Sequence, residues 1–144
     1  MTSAVVAVLF AFALGHASGA EEAKAKPKKP HLDLKANPRM AFSPVTVFLT
    51  AELTGGDDVE EMHCPEVEWD WGDGGKSTSE GDCEPFEAGT KIQRRFTNEH
   101  EYGRSGIYNI SVSLRRVGKT LAKNSVRVTV RPGLTERTTA TEPE

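Results

Sequence analysis

Acidic side chains form the densest group of residues that could do chemistry in this chain. Between residues 57 and 87 the sequence carries twelve carboxylates against the single Lys76, whereas ten Lys or Arg residues lie between residues 91 and 131. The closest carboxylates are oxygen ligands of the kind that Ca²⁺ takes, but they lack the spacing of an EF-hand loop; they are Asp57, Asp58, Glu60 and Glu61. We therefore expect a solvated acidic loop or an electrostatic docking surface for a basic partner. We expect no cofactor, with Ca²⁺ as the alternative.

The two cysteines, Cys64 and Cys83, predict a disulfide. An even cysteine count is typical of an exported protein, and closing a loop of roughly 20 residues is worth about 3 kcal/mol in the chain-entropy model. Zinc is the alternative, with His63 and His100 completing the ligand set. It is less favoured because there is no Cys-x-x-Cys pair, and adjacent ligands in an extended chain point apart.

The aromatic segment at residues 69–74 reads Trp-Asp-Trp-Gly-Asp-Gly. Trp69 and Trp71 are two positions apart, so a strand places both indoles on one face. Either they fill a core or they form a platform on which a ligand stacks, and we favour the core, at least for Trp69. Asp70 then faces outward. Gly72 and Gly74 suit a tight turn in which Asp73 accepts backbone N–H bonds rather than acting as an acid or base.

Three further residues carry groups with possible catalytic roles: His100, Tyr102 and Tyr108. His100 has the chemistry of a general base, but no serine or cysteine nucleophile stands in a recognisable motif with it, so packing is the favoured role. Tyr108 has the placement of a tyrosine corner, whose phenol bonds back to the chain. The sequence therefore predicts that the protein is not an enzyme.

The elements that must position these residues are strands, because apolar residues recur at every second position. Residues 45–53, 108–114 and 126–130 all alternate in this way, which is the period of a half-buried strand. Residues 116–119 have the chemistry of a hairpin turn. We predict a seven-stranded, all-β Greek-key sandwich of the immunoglobulin-like class. The strands are predicted at 32–36, 45–53, 66–71, 76–80, 91–97, 107–116 and 122–131.

The ends of the chain indicate export. Residues 1–20 resemble a signal peptide, because an apolar run of eleven residues too short to span a bilayer precedes small residues. Residues 21–31 are predicted to be a flexible leader, residues 32–131 the folded domain, and residues 132–144 a disordered tail. We expect a secreted or periplasmic protein. The formal net charge of −3 gives no reason to expect binding to nucleic acid, and no membrane insertion is predicted.

The residues from Trp69 to Gly74, followed by His100-x-Tyr102 and Gly106-x-Tyr108-x-Ile110, resemble the PKD (polycystic kidney disease-type) domain. The resemblance covers residues 32–131. It implies an extracellular, non-catalytic β-sandwich used for protein or carbohydrate contacts or as a spacer. Some members bind calcium. The chain departs from the family pattern at Trp71, where Phe is usual, and in a longer segment at residues 81–97 that carries Cys83.

Together these features predict a non-catalytic secreted module that binds another extracellular protein, with polysaccharide as the second choice of partner. The predicted contacts are an exposed sheet face and the carboxylates of residues 57–61, and salt should weaken such binding. A carbohydrate-binding module is the alternative, and it requires an exposed aromatic ring from Trp71, Phe86 or Phe48. A calcium-dependent adhesion domain, or an inhibitor presenting the loop between Cys64 and Cys83, is less favoured.

Overall fold

The computed structural model describes residues 28–134 and 136, so the predicted signal peptide and most of the predicted leader and tail lie outside the described residues. The described residues form eight strands and a short 3₁₀ turn at Glu60–Met62. The strands are β1 (His31–Asn37), β2 (Met40–Phe42), β3 (Val45–Thr54), β4 (Glu66–Asp70), β5 (Lys76–Ser79), β6 (Arg95–Tyr102), β7 (Gly106–Arg116) and β8 (Lys119–Arg131).

These strands build two sheets, and this confirms the predicted all-β sandwich. One sheet has the order β1-β3-β6, and the other has the order β2-β8-β7-β4-β5. Neighbouring strands are antiparallel except for β2, which runs parallel to β8. Because sequence neighbours such as β3 and β4 lie in different sheets, the chain crosses repeatedly between the two layers.

The core lies between the sheets and follows the predicted alternation. In β3, Val47, Leu49, Ala51 and Leu53 are buried, while residues between them face outward. The opposite sheet contributes buried residues at the same period; they are Val67, Trp69, Ile110, Val112, Leu114, Val128 and Val130. Removing these side chains from water supplies the main driving force for closing the two layers.

Two strands differ from the prediction. The three-residue strand β2 was not predicted, because Met40-Ala41-Phe42 is too short to show a period and follows Pro38. The strand predicted at 91–97 begins at Arg95 and continues to Tyr102. The inward positions of β6 include Asn98 and His100, so polar residues interrupt its apolar alternation. The sequence pattern therefore does not show where this strand ends.

The predicted hairpin joins β7 to β8 through a two-residue turn at Val117 and Gly118. Both residues have positive φ, 47° and 75°, which is the conformation of a type I′ turn. The register of the pair shifts by one residue between Leu114 and Arg115, so a β-bulge lies just before the turn.

Beyond β8 the described residues continue along the end of the sandwich. The N–H of Gly133 donates to Ser43 Oγ at 3.0 Å. The carboxylate of Glu136 accepts from Ser43 Oγ and from the Ser105 N–H, each at 2.8 Å. The hydrogen bond from the Ser105 N–H, and to a smaller extent the one from Ser43 Oγ, hold the pKa of Glu136 below its usual value. Among the described residues no helix is long and apolar enough to cross a membrane.

Candidate functional site

Two of the four carboxylates at residues 57–61 pair with bases of the same chain. Asp58 accepts from Lys91 Nζ at 2.9 Å and from Arg94 Nη2 at 3.0 Å, and these bonds lower its pKa. Glu61 pairs with Lys119 at 2.6 Å. Asp57 and Glu60 remain exposed. The loop therefore carries less net charge than the sequence suggested, and this weakens it as a docking surface for a basic partner.

The part of the chain that the structure describes contains no set of side chains arranged to bind a metal ion. No group of three or more His, Cys, Asp or Glu side chains there could hold a metal ion. Cys64 and Cys83 form the predicted disulfide, with an S–S distance of 2.01 Å, so neither sulfur is a thiolate available to zinc. His63 Nε2 bonds to the carbonyl oxygen of Glu84, whereas His100 bonds to Asp73. The four predicted zinc ligands are thus not brought together.

A column of stacked rings occupies one side of the core. Trp69 stacks on Trp71, with ring centroids 5.8 Å apart, and Trp71 stacks on His100 at 4.5 Å. Tyr102 meets the edge of His100, and Tyr108 stacks on Tyr102. Trp71 is only 4% exposed, so both indoles belong to the core and Trp71 does not offer its ring to a ligand. The alternative role of Trp71 as a carbohydrate platform therefore does not fit the structure.

His100, one of the rings of this column, forms a hydrogen-bonded pair with Asp73. His100 Nε2 lies 2.7 Å from Asp73 Oδ2, while Asp73 Oδ1 accepts the N–H of Gly75 at 2.8 Å. Burial raises the pKa of Asp73, but the bonds from His100 and Gly75 outweigh it, so the pKa is lowered overall. No serine or cysteine of the described residues hydrogen-bonds to this pair. The geometry suits a clamp that holds the tight turn after β4, which is the role predicted for Asp73.

Two tyrosine hydroxyls tie the loops to the core. Tyr102 is 1% exposed and donates to the carbonyl of Trp71 at 2.7 Å. Burial, together with the nearby Asp73 charge, raises the pKa of Tyr102. Tyr108 donates to the carbonyl of Arg104 at 2.8 Å, which is the backward bond of a tyrosine corner. Both residues are structural.

An exposed apolar surface lies on the outer face of the five-stranded sheet. Met40, Phe42 and Ile107 are 57%, 56% and 65% exposed. Paired residues in adjacent strands project to the same face of a sheet. Met40 and Ile107 both pair with Thr129, and Phe42 pairs with Arg131, so the three apolar side chains share one face.

Basic residues lie on β8, the strand between these apolar side chains. Arg127 and Arg131 alternate with Thr129 along β8, and both are exposed. Neither forms an ion pair with any other described residue, whereas Lys35, Lys76, Lys91, Arg94, Arg95, Arg115 and Lys119 do. We call the surface formed by Met40, Phe42, Ile107, Arg127 and Arg131 the β2 patch. The sequence does not reveal this patch, because its apolar residues come to one face only through the parallel pairing of β2 with β8.

The other aromatic candidates lie away from the β2 patch. Phe48 is 56% exposed on the outer face of the three-stranded sheet, where Asn37 and Glu99 flank it in register. Phe86 is half-buried, and its ring lies 5.4 Å from the ring of His63. Of the three rings named for carbohydrate stacking, Phe48 is therefore the most exposed.

The fold and its internal bonds define an immunoglobulin-like β-sandwich. Among solved structures the chain is similar to the PKD domain of an M14-like peptidase from Thermoplasmatales archaeon SCGC AB-540-F20. The TM-score is 0.51 at 14% identity, and the match covers 75% of this chain and 100% of that one. At this identity the likeness concerns the fold, and it confirms the predicted resemblance.

The chain is also similar to the CARDB domain of the PF1109 protein from Pyrococcus furiosus, whose structure is a complex with di-metal ions. Here the TM-score is 0.49 at 8% identity, and the match covers 74% of this chain and 96% of that one. No protein-family model matches the chain, and no curated protein matches its sequence.

Proposed function

We propose that this protein is a non-catalytic, secreted or periplasmic module that binds another extracellular protein through the β2 patch. The observation that carries the proposal is the exposure of Met40, Phe42 and Ile107 together on one sheet face. Exposed apolar groups that cluster inside a polar border are typical of protein interaction sites. Because Arg127 and Arg131 lie among these apolar groups, the matching surface of the partner is an apolar area that also carries carboxylates.

The patch is also preorganised, which lowers the entropic cost of binding. β2 is held on β8 by the Thr129 N–H, which donates to the Arg39 carbonyl at 2.9 Å, and by the Ser43 N–H, which donates to the Arg131 carbonyl at 2.9 Å. Ser43, which follows β2, also donates a hydrogen bond from its Oγ to the Glu136 carboxylate. A partner therefore meets a surface whose backbone is fixed before contact.

Export is supported by the Cys64–Cys83 disulfide, because disulfides persist in oxidising compartments and are rare in the cytosol. The absence of catalysis is supported by the structural use of Asp73 and His100, whose polar atoms bond to one another and to the turn backbone.

Carbohydrate binding is the second candidate, and Phe48 is the observation that favours it. Its exposed ring lies on the outer sheet face, next to polar residues that could bond sugar hydroxyls; Asn37 and Glu99 pair with it directly. An aromatic ring with hydrogen-bonding neighbours is the usual chemistry of a polar ligand site.

Phe42 and Phe48 provide a matched test, since both are 56% exposed and they lie on opposite sheets. The chain from residue 21 to 144 is used to capture partners from the extracellular fraction of its source, and a glycan array is probed in parallel. We expect the Phe42→Ser variant to lose the captured protein and the Phe48→Ser variant to keep it. Capture that survives Phe42→Ser would contradict the assignment to the β2 patch. Glycan binding that only Phe48→Ser removes would establish the second candidate instead.

A further inference from the structure

A second surface of this chain has the chemistry that complements the β2 patch. The connection from β5 to β6 is fastened by the disulfide, and we call its residues 80–87 the disulfide loop. It carries four carboxylates near Phe86 in sequence, and Phe86 itself is half-buried; they belong to Glu80, Asp82, Glu84 and Glu87. All four residues are exposed, and none forms an ion pair with another residue in the described ranges. The loop thus combines a partly exposed aromatic ring with exposed carboxylates close to it in sequence.

The disulfide loop and the β2 patch lie at opposite ends of the sandwich. Arg116, at the far end of β7, donates to the carbonyl of His63, which adjoins Cys64. Ile107 of the β2 patch lies at the other end of the same strand. Nine residues of strand span about 30 Å at roughly 3.3 Å per residue. The two surfaces therefore cannot meet within one molecule.

We propose that the β2 patch binds the disulfide loop of a second copy of this chain. The inference depends on the proposed function, because it names the partner of that same patch. Phe86 of one copy contacts Met40, Phe42 and Ile107 of the other, and the loop carboxylates pair with Arg127 and Arg131. The contact joins different surfaces of the two copies, so an open assembly of any length still has one free patch at one end and one free loop at the other. Contacts of this heterologous kind produce rings or open chains rather than closed dimers.

Charge complementarity is the reason for choosing this occupant. The arginines of the patch and the carboxylates of the loop have no ion-pair partners among the described residues, and their signs are opposite. Opposite charges around an apolar contact steer association and fix its orientation, and they are screened by salt. Self-association should accordingly be strongest at low ionic strength.

Sedimentation velocity over a range of protein concentrations tests the proposal with the chain from residue 21 to 144. At low salt we expect the wild-type chain to grow past the dimer as its concentration rises. A patch variant, Phe42→Ser with Arg131→Gln, and a loop variant, Glu84→Gln with Glu87→Gln, should each weaken association roughly tenfold or more. A control variant, Asp33→Asn with Glu101→Gln, removes two exposed carboxylates from the three-stranded sheet and should behave as the wild type.

Mixing the patch variant with the loop variant gives the sharper result. Each variant keeps one intact surface, so the mixture should form a one-to-one dimer that does not grow further. A wild-type chain that stays monomeric, one that stops at a dimer, or a mixture that does not associate would overturn the inference. If the monomeric chain still captures an extracellular protein in a manner that depends on Phe42, the proposed function stands without this inference.

Discussion

The buried hydroxyl of Tyr102 should contribute more to stability than the exposed hydroxyl of Tyr108. Each donates one hydrogen bond to a backbone carbonyl, at 2.7 Å and 2.8 Å respectively, and each is removed by a Tyr→Phe substitution. The environments differ, because Tyr102 is 1% exposed and inside the core whereas the Tyr108 bond is exposed. The pair of variants therefore isolates the effect of burial.

The expected magnitudes follow from what happens to the acceptor. In Tyr102→Phe the carbonyl of Trp71 is left in a buried site where water does not replace the lost donor. An unsatisfied buried group of this kind costs about 1–3 kcal/mol. In Tyr108→Phe water can bond to the carbonyl of Arg104, so the free energy of unfolding should fall by only about 0.5 kcal/mol. For a domain of this size, a loss of about 2 kcal/mol lowers Tm by roughly 10 °C.

Urea unfolding followed by tryptophan fluorescence and by far-ultraviolet circular dichroism measures both variants. Coincident transitions from the two probes would justify two-state free energies. We expect the midpoint to fall with an unchanged m-value, and to fall much further for Tyr102→Phe. Equal losses in the two variants would refute the reasoning, since they would mean that burial of the Trp71 carbonyl carries no additional cost.

Three further outcomes are expected from the same fold. Val117→Asn should raise the free energy of unfolding by about 1 kcal/mol, because a β-branched residue at φ 47° is strained and Asn tolerates that conformation. Thermal melting measures the change, and a lower Tm would contradict the turn geometry. Reducing the Cys64–Cys83 disulfide should cost about 3 kcal/mol, with a Cys64→Ser/Cys83→Ser variant as the matched form; unchanged urea midpoints would contradict it. The lowered pKa of Asp73 means that its contribution to stability is present above its unfolded value of 3.8 and is lost as pH falls through the lower folded pKa. Asp73→Asn should therefore flatten the loss of stability in acid titrations, and an unchanged slope would show that Asp73 makes no such contribution.

The sequence predicted those features that depend on local pattern. The period of two in residues 45–53 places Val47, Leu49 and Ala51 in the core, and β3 has that burial. The cysteine count predicted the disulfide, and the spacing of Trp69 and Trp71 predicted that both rings share one face. These features were accessible because each is set by residue type and by the geometry of an extended chain.

Several features of the candidate sites were inaccessible for a common physical reason. The sequence grouped Asp57, Asp58, Glu60 and Glu61 as an acidic surface, but two of them pair with bases that are distant along the chain. Which charges meet depends on strand order, and no pattern in one segment contains that order. The choice between the two roles left open for Trp71, core or ligand platform, likewise depended on strand order, since the ring of His100 stacks on it from the opposite sheet.

The sequence alone determined the strand period, the core residues and the turn chemistry of this protein, because nearest-neighbour sterics and the burial of apolar side chains act within one strand. Only the tertiary structure decided which outward-facing residues became neighbours. Met40 and Phe42 lie far from Ile107 and Arg131 in sequence, and they share a surface only because β2 pairs with the edge of β8. Pairing between strands depends on contacts between residues that are distant in sequence, and this pairing creates the candidate binding face.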